Sequence, residues 1–304
     1  MAIIRSQYQI EGSVSRGELL DYPGIEYYVD GVNGDDTNDG RSWQTAVATI
    51  QKGVNLARYL PGTTTIDDTK DHFATVYVGP GHYNEQVLFS GYNIRLLGIP
   101  VHPGKDYGVS LNYDAAITET ACLAFSGSGI EVANIWVNNS GGAIPGIWCA
   151  GGDNNWVHNC VIDCGGVGAY GIKMDSMKGS LVEGNTVETP ATAGILVAGG
   201  DDHYFIQGAI RHNAIHGDAS AVVAIDIEAT NVCYSAVIER NFIDVLGSGA
   251  SAYGIYNRAT GNVLVVDNFI LLTTGANAVA SNGKGLIHNH TSANGTITDP
   301  DDDD

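Results

Sequence analysis

Three carboxylates, a lysine and an arginine are spaced in this 304-residue chain so that they could act together. They follow a recurring dipeptide, a small residue before an aliphatic one. It stands at Gly146-Ile147, Gly171-Ile172, Gly194-Ile195, Ala224-Ile225, Gly254-Ile255 and Ala278-Val279. Side chains alternate along a strand, so residues one and three places after each inward aliphatic point outward. That face carries Trp148 and Ala150, Lys173 and Asp175, Leu196 and Ala198, Asp226 and Glu228, and Tyr256 and Arg258. Asp175 and Glu228 fall two repeats apart, about 9–10 Å at the spacing of neighbouring strands. Inverting glycoside hydrolases use carboxylate pairs at such separations. A lyase would instead set Lys173 or Arg258 as a base against the sugar α-proton, with Ca²⁺ held by the carboxylates. Trp148 and Tyr256 offer rings for sugar stacking without cleavage. A plainer reading uses the same residues: Glu228 and Arg258 form a cross-strand ion pair worth a few tenths of a kcal/mol. Lys173 and Asp175 then share a solvated strand face, while Leu196 and Ala198 interrupt the cleft.

The elements that must hold these side chains are legible in a second marker. Asparagine recurs as Asn134, Asn159, Asn185, Asn213, Asn241, Asn268 and Asn289, at steps of 25, 26, 28, 28, 27 and 21 residues. Two markers at one period indicate a solenoid in which each repeat is one coil. Short aliphatic runs such as Gly194–Val197 and Val263–Val266, separated by Gly, Asn, Asp, Ser and Thr, are strands between turns. No pair of ten-residue amphipathic stretches per repeat is present, which excludes helical repeats. Asn suits a sharp corner because it tolerates left-handed backbone, and stacked amides can bond along the axis. The fold class expected is all-β: a right-handed, single-stranded parallel β-helix of about eight or nine coils with an N-terminal capping α-helix.

Composition narrows the partners. With 34 acidic against 14 basic residues the net charge is −20, which argues against nucleic acid and against anionic membranes. Residues 1–12 lack the apolar core of a signal peptide, and no run approaches transmembrane length, so synthesis in a cytoplasm is expected. The odd set of Cys122, Cys149, Cys160, Cys164 and Cys233 reads as buried thiols, not disulfides. His158, Cys160 and Cys164 lack the CxxC spacing of a soft-metal site. Asp30, Asp35 and Asp39 lie in an oxygen-rich loop and are the candidate calcium ligands. Ala46 at the twelfth loop position excludes an EF-hand, and Asx turns leading into a helix are the simpler use of these residues. No nucleophile elbow, phosphate loop or cysteine–histidine pair is present, and His288 and His290 flank the last asparagine without forming a site.

Along the chain, residues 1–24 form an arm without repeats. Residues 25–72 hold a first strand (25–30), a turn-rich loop and an amphipathic helix from Thr45 to Leu60 that plugs the open end of the solenoid. The β-helix occupies 73–295, with a first coil at 74–99 and an insertion at 100–114. Residues 296–304 are an acidic tail with a weak strand at Thr296 to Thr298.

The elements Tyr28-Val29-Asp30, Asn38-Asp39-Gly40, Ser42-Trp43, Thr49-Ile50-Gln51 and Val78-Gly79-Pro80-Gly81, with Tyr83 and Glu85, resemble the start of pectate-lyase-like right-handed parallel β-helix proteins. These include polysaccharide lyases and phage tail or surface proteins. The likeness covers about 70 residues well and the remainder as a repeat pattern. It implies that a functional site, if used, lies on the outward face described above. It also implies a non-enzymatic virion component: a capsid decoration protein or tail-associated rod on the virion surface. Residues 1–24 would attach it to other virion proteins, and the rods would pack as trimers. Host surface polysaccharide is the further partner implied. A polysaccharide-cleaving tailspike and a non-cleaving carbohydrate-binding module are the alternatives.

Overall fold

The computed structural model describes residues 24–59, 73–100, 108–112, 121–139, 143–198, 204–218, 222–228, 232–246, 252–272, 277–281, 284–287, 290–293 and 296–298. Nearly every strand is parallel to its neighbours, and the strands assort into three sheets. A coil visits the sheets in fixed order, as in Trp156–His158, Val161–Asp163 and Tyr170–Met174. The chain then returns to the first sheet one strand further along the axis.

The three inward columns explain why the sequence winds this way. In the first sheet Val76, Leu96, Val132, Val157, Val182, Ile210, Ile238 and Val265 are in register. The second stacks Val87, Leu123, Ile147, Ile172, Ile195, Ile225 and Ile255. In the third, Leu111, Val137, Ile162, Val187, Ile215, Ile243 and Ile270 do the same. Each buried aliphatic contributes about 1.5–3 kcal/mol, so one coil is marginal and the stack is stable. The small–aliphatic marker is thus the second sheet's inward column. Its small member is set by packing: a Cβ on Gly171 would strike Val187 Cγ1 across the interior. The shortest sheet stacks eight strands, and about six turns are regular, slightly fewer than the eight or nine expected.

Two adjacent corner positions had been merged in the asparagine series. Asn185, Asn213, Asn241 and Asn268 form the ladder. Each of the first three donates Nδ2–H to the Oδ1 of the next at 3.0, 3.0 and 2.9 Å. Asn134 and Asn159 stand one residue earlier in the corner, at φ 59° and 52°, in line with Gly184, His212, Arg240 and Asp267. The ladder position in those coils is filled by Ile135 and Cys160, and Cys160 N donates to Asn185 Oδ1 at 3.0 Å. Asn134 and Asn159 are therefore corner residues, not ladder members. Asn tolerates both the left-handed site and the buried amide site, so residue type alone could not separate them. Asn289 lies outside the described residues.

A second corner, unmarked in the sequence, leads into the first sheet. Its left-handed position is held by Asn93, Gly129, Asn154, Gly179, Gln207 and Ser235. Behind it Asn155 is fully buried, accepting from Ile130 N at 2.9 Å and donating to Gly127 O at 2.9 Å.

The cap is shorter than its apolar period suggested. The helix spans Ile50–Arg58, with Thr49 as N-cap, and only a 3₁₀ turn, Trp43–Thr45, precedes it. Val47 instead bridges Val29 in extended backbone, so its hydrophobicity serves the sheet and not a helix face. Glu85 supplies the rest of the cap, accepting from Ile50 N at 2.8 Å and Gln51 N at 3.0 Å. Ile50, Val54 and Ala57 close the end of the core. Leu60 lies outside the described residues. The region assigned to an insertion contains a regular strand, Val109–Asn112, paired with Gly81–Tyr83 and Trp136–Asn138. Ile94–Gly98, placed within the first coil, opens the second. The weak terminal strand is present as Thr296–Thr298, antiparallel to His290–Ala293.

Candidate functional site

The outward face of the second sheet collects the residues that alternation assigned to it. Trp148, Lys173, Leu196, Asp226 and Tyr256 are in register as one column. Ala150, Asp175, Ala198, Glu228 and Arg258 follow two residues later in the same coils. A third outward column was missed: Tyr170, Ala193, Val223 and Tyr253. It arises because the small residue of each marker points inward beside its aliphatic partner, so the residue before it turns outward again. That departure from strict alternation has no signal in the hydrophobic pattern.

The carboxylates are held by neighbours. Asp175 accepts from the Trp148 indole Nε1 at 2.9 Å. Lys173 Nζ stands 3.2 Å from its other oxygen, within ion-pair range though off hydrogen-bond alignment. The same ammonium lies 4.5 Å from the Trp148 ring centroid. At the far end Arg258 grips Asp226 with two hydrogen bonds, of 3.1 and 2.6 Å, and approaches Glu228 only to 4.0 Å. The cross-strand pair expected between Glu228 and Arg258 is present at the edge of ion-pair range, while the guanidinium's two hydrogen bonds go to Asp226. The reason is geometric: the diagonal position lets the guanidinium fork meet a carboxylate edge-on. Burial raises the Asp226 carboxyl above its ordinary value although Arg258 opposes it, with Glu228 adding to the rise. Burial also raises Tyr170, and Glu228 and Asp226 push it further.

Between the two polar ends lies an apolar strip. Leu196 is 3% exposed and Ala198 5%, packed with Ala193, Tyr170 and Val223. Asp175 and Glu228 are therefore two strands apart, as expected, with the buried Leu196 and Ala198 on the strand between them. Tyr256 stacks on Tyr253 at 4.4 Å and carries Arg258 over its ring at 5.2 Å. Toward the cap, a groove of about 320 Å³ opens beside Trp148.

The other candidates make local contacts. Asp30 accepts from Val32 N and Asn33 N, Asp35 from Thr37 N, and Asp39 from Arg41 N. These hydrogen bonds hold all three carboxyls below the ordinary range: from Asn33 to Asp30, Thr37 to Asp35, and Thr45 to Asp39. Their oxygens serve the Asx turns ahead of the helix. His158 points outward against Glu131 at 2.9 Å, while Cys160 and Cys164 point into the core. Burial pushes both thiols up to about 12. Among the described residues no three His, Cys, Asp or Glu side chains converge. No helix among them is long and apolar enough to cross a membrane.

Glu131 gives the rod an acid-sensitive joint. Burial works to raise its carboxyl, but His158 and Arg95, bound at 2.9 and 2.7 Å, outweigh that and hold it below 4.5. A folded value below the unfolded one adds stability above about pH 4.5, and that stability is lost as pH falls through the folded value. Urea midpoints of the native protein and Glu131→Gln should therefore differ near pH 6 and converge as the pH drops below 4.5. A gap independent of pH would show that ionisation at Glu131 contributes nothing.

Comparison with known proteins bears on the scaffold. Residues 101–270 match a family model described as the right handed beta helix region. Two crystal structures of the GH136 lacto-N-biosidase from Eubacterium ramulus are similar at 11% identity. The selenomethionine derivative covers 89% of this chain and 68% of that one, with a TM-score of 0.40. The native protein covers 88% and 68%, with a TM-score of 0.34. Likeness of that degree carries no argument about chemistry here. No curated protein sequence matches the chain.

Proposed function

Starting from the premise that the chain belongs to the right-handed β-helix family, we propose that it is a non-enzymatic structural protein of a phage particle. It is a capsid decoration or tail-associated rod, anchored by residues 1–24 and projecting outward. The family supplies a scaffold that hosts unrelated functions, so the reading rests on the site. The observation that carries it is the engagement of every carboxylate on the outward face. Asp175 is tied to Trp148 and Lys173, and Asp226 and Glu228 share Arg258. A general acid and a base need reach to a substrate and a water. Here the strand between them carries the buried apolar side chains of Leu196 and Ala198. The acidic exterior, at −20, favours a solvated surface component and disfavours nucleic acid and anionic membranes. Assembly as a trimer on the virion surface, attached to capsid or tail proteins, completes the reading, which calls on no cofactor.

One observation favours a second reading, a polysaccharide-cleaving spike. Asp226 is buried and its carboxyl raised, the usual condition of a general acid. One experiment separates the two. Full-length protein and a variant lacking residues 1–24 are incubated with particles and with host surface polysaccharide. The truncation is expected to abolish attachment while far-UV circular dichroism keeps the β signature, and neither protein should release new sugar ends. Attachment without the arm sinks the anchoring role. Sugar ends that vanish in Asp226→Asn would establish the cleaving spike instead.

A further inference from the structure

The outward face of the third sheet carries an uncharged band that runs most of the length of the rod. We propose that copies of this chain pack side by side, in parallel, along that band. Its axis is one outward column, Trp136, Val161, Thr186, Ala214, Phe242 and Phe269, in register over six successive strands. None of the six is charged, in a chain of net charge −20. The band is most apolar toward its C-terminal end. There Phe242 is 40% exposed and stacks on Phe269 at 5.5 Å, and Leu246, directly after the same strand, is 58% exposed. An apolar surface with polar margins marks a place of contact.

The charges at the two margins select the occupant and its direction. Two residues further along each coil stand Asp163, Glu188, His216 and Asp244, in register as a mainly acidic margin. Two residues earlier, at the corner, stand Asn134, Asn159, Gly184, His212 and Arg240, with a carboxylate only at the last position, Asp267. The Arg240 side chain is 57% exposed there and approaches Asp267 only to 3.8 Å. A rotation axis along the rod sets the acidic margin of one copy against the corner margin of the next. Asp244 of one copy then lies at the height of Arg240 of its neighbour, since both belong to one coil. Turning one rod end for end would instead set acid against acid, which like charges oppose. A second copy also repeats the column at the same strand spacing, about 4.8 Å, so the two match coil by coil. Such an axis closes the assembly and gathers the capped ends on one side. The inference rests on the assembled rod of the reading above, and not on where that rod is attached.

Sedimentation velocity of the full chain, with thiol cross-linking for direction, tests the assignment. The native chain should sediment as a closed oligomer at micromolar concentration. Phe242→Asp should weaken association at least tenfold. Tyr234→Asp, at an equally exposed aromatic of the first sheet (57%), should leave it unchanged. The five native cysteines are buried, so new surface thiols can be linked selectively. Trp136→Cys and Ala214→Cys place thiols three strands apart on the column, about 14 Å. In a parallel assembly each variant should cross-link to itself through a short bis-maleimide, a result that decides the matter if Phe242→Asp does not fold. Links that form only when the two variants are mixed would establish antiparallel rods and overturn the proposal. Unchanged association in folded Phe242→Asp, or equal loss in Tyr234→Asp, would overturn this face and leave the assembly reading standing. A monomeric native chain would overturn both.

Discussion

Asn213→Ala is expected to destabilise the rod by about 3–6 kcal/mol, because buried polar groups orphaned by a truncation cost about 1–3 kcal/mol each. Asn213 Oδ1 accepts from both the backbone N and the side-chain Nδ2 of Asn185, each at 3.0 Å. Its Nδ2 in turn serves Val182 O, Arg211 O and Asn241 Oδ1. Asn213 is 1% exposed, so water cannot replace these partners. Asn159 provides the contrast. It sits in the neighbouring left-handed position with its side chain exposed, and Gly184 holds the same place one coil on. Asn159→Gly should therefore shift stability by no more than about 1 kcal/mol. Urea denaturation of both variants measures the difference. Equal losses would mean that corner conformation, and not the amide ladder, holds the coils in register.

That pair of residues also shows what the sequence could and could not disclose. The small–aliphatic marker located an interior column to the residue, because Ile147 through Ile255 answer to packing alone. From it the outward faces of Trp148, Lys173, Asp175, Asp226, Glu228 and Arg258 followed by alternation. The asparagine series mixed two adjacent positions because Asn satisfies both a left-handed backbone and a buried amide. Aligned on the structure, the earlier steps become 135, 160 and 185, evenly 25 apart. The second corner escaped notice since its occupants include Gln207 and Ser235, which are not typical left-handed residues. Pairings across the outward face were harder still. Whether Arg258 would choose Glu228 beside it or Asp226 on the diagonal depends on rotamer reach, which no spacing encodes. The groove was illegible for a related reason. Arg58 reaches Ser90 across 32 residues, through a helix whose start the apolar period misplaced.

Gly127→Ala should be as damaging as the loss of a ladder asparagine, by a different route. At the corner leaving the second sheet, Gly91, Gly127 and Gly152 stack with their backbones in close approach. A Cβ on residue 127, at φ 123°, would fall well inside contact distance of the Gly91 carbonyl oxygen. One on residue 152 would do the same to Gly127. Both obstacles are main chain, tied by Gly91 N to Ser126 O at 3.0 Å and Gly127 N to Gly151 O at 3.3 Å, so neither can swing aside. A loss of about 4 kcal/mol or more is expected, the range reserved for clashes that the fold cannot relax. Gly166→Ala isolates the conformational part: its φ is 73°, and nothing lies within 4 Å of the added methyl. It should lose only the about 1–2 kcal/mol of a left-handed alanine. If thermal or urea unfolding gives both variants the same loss, the corner yields and backbone approach does not constrain it. If the losses separate as expected, the stacking of Gly91 on Gly127 fixes the height of Ser90 and Ser126, which directly precede them.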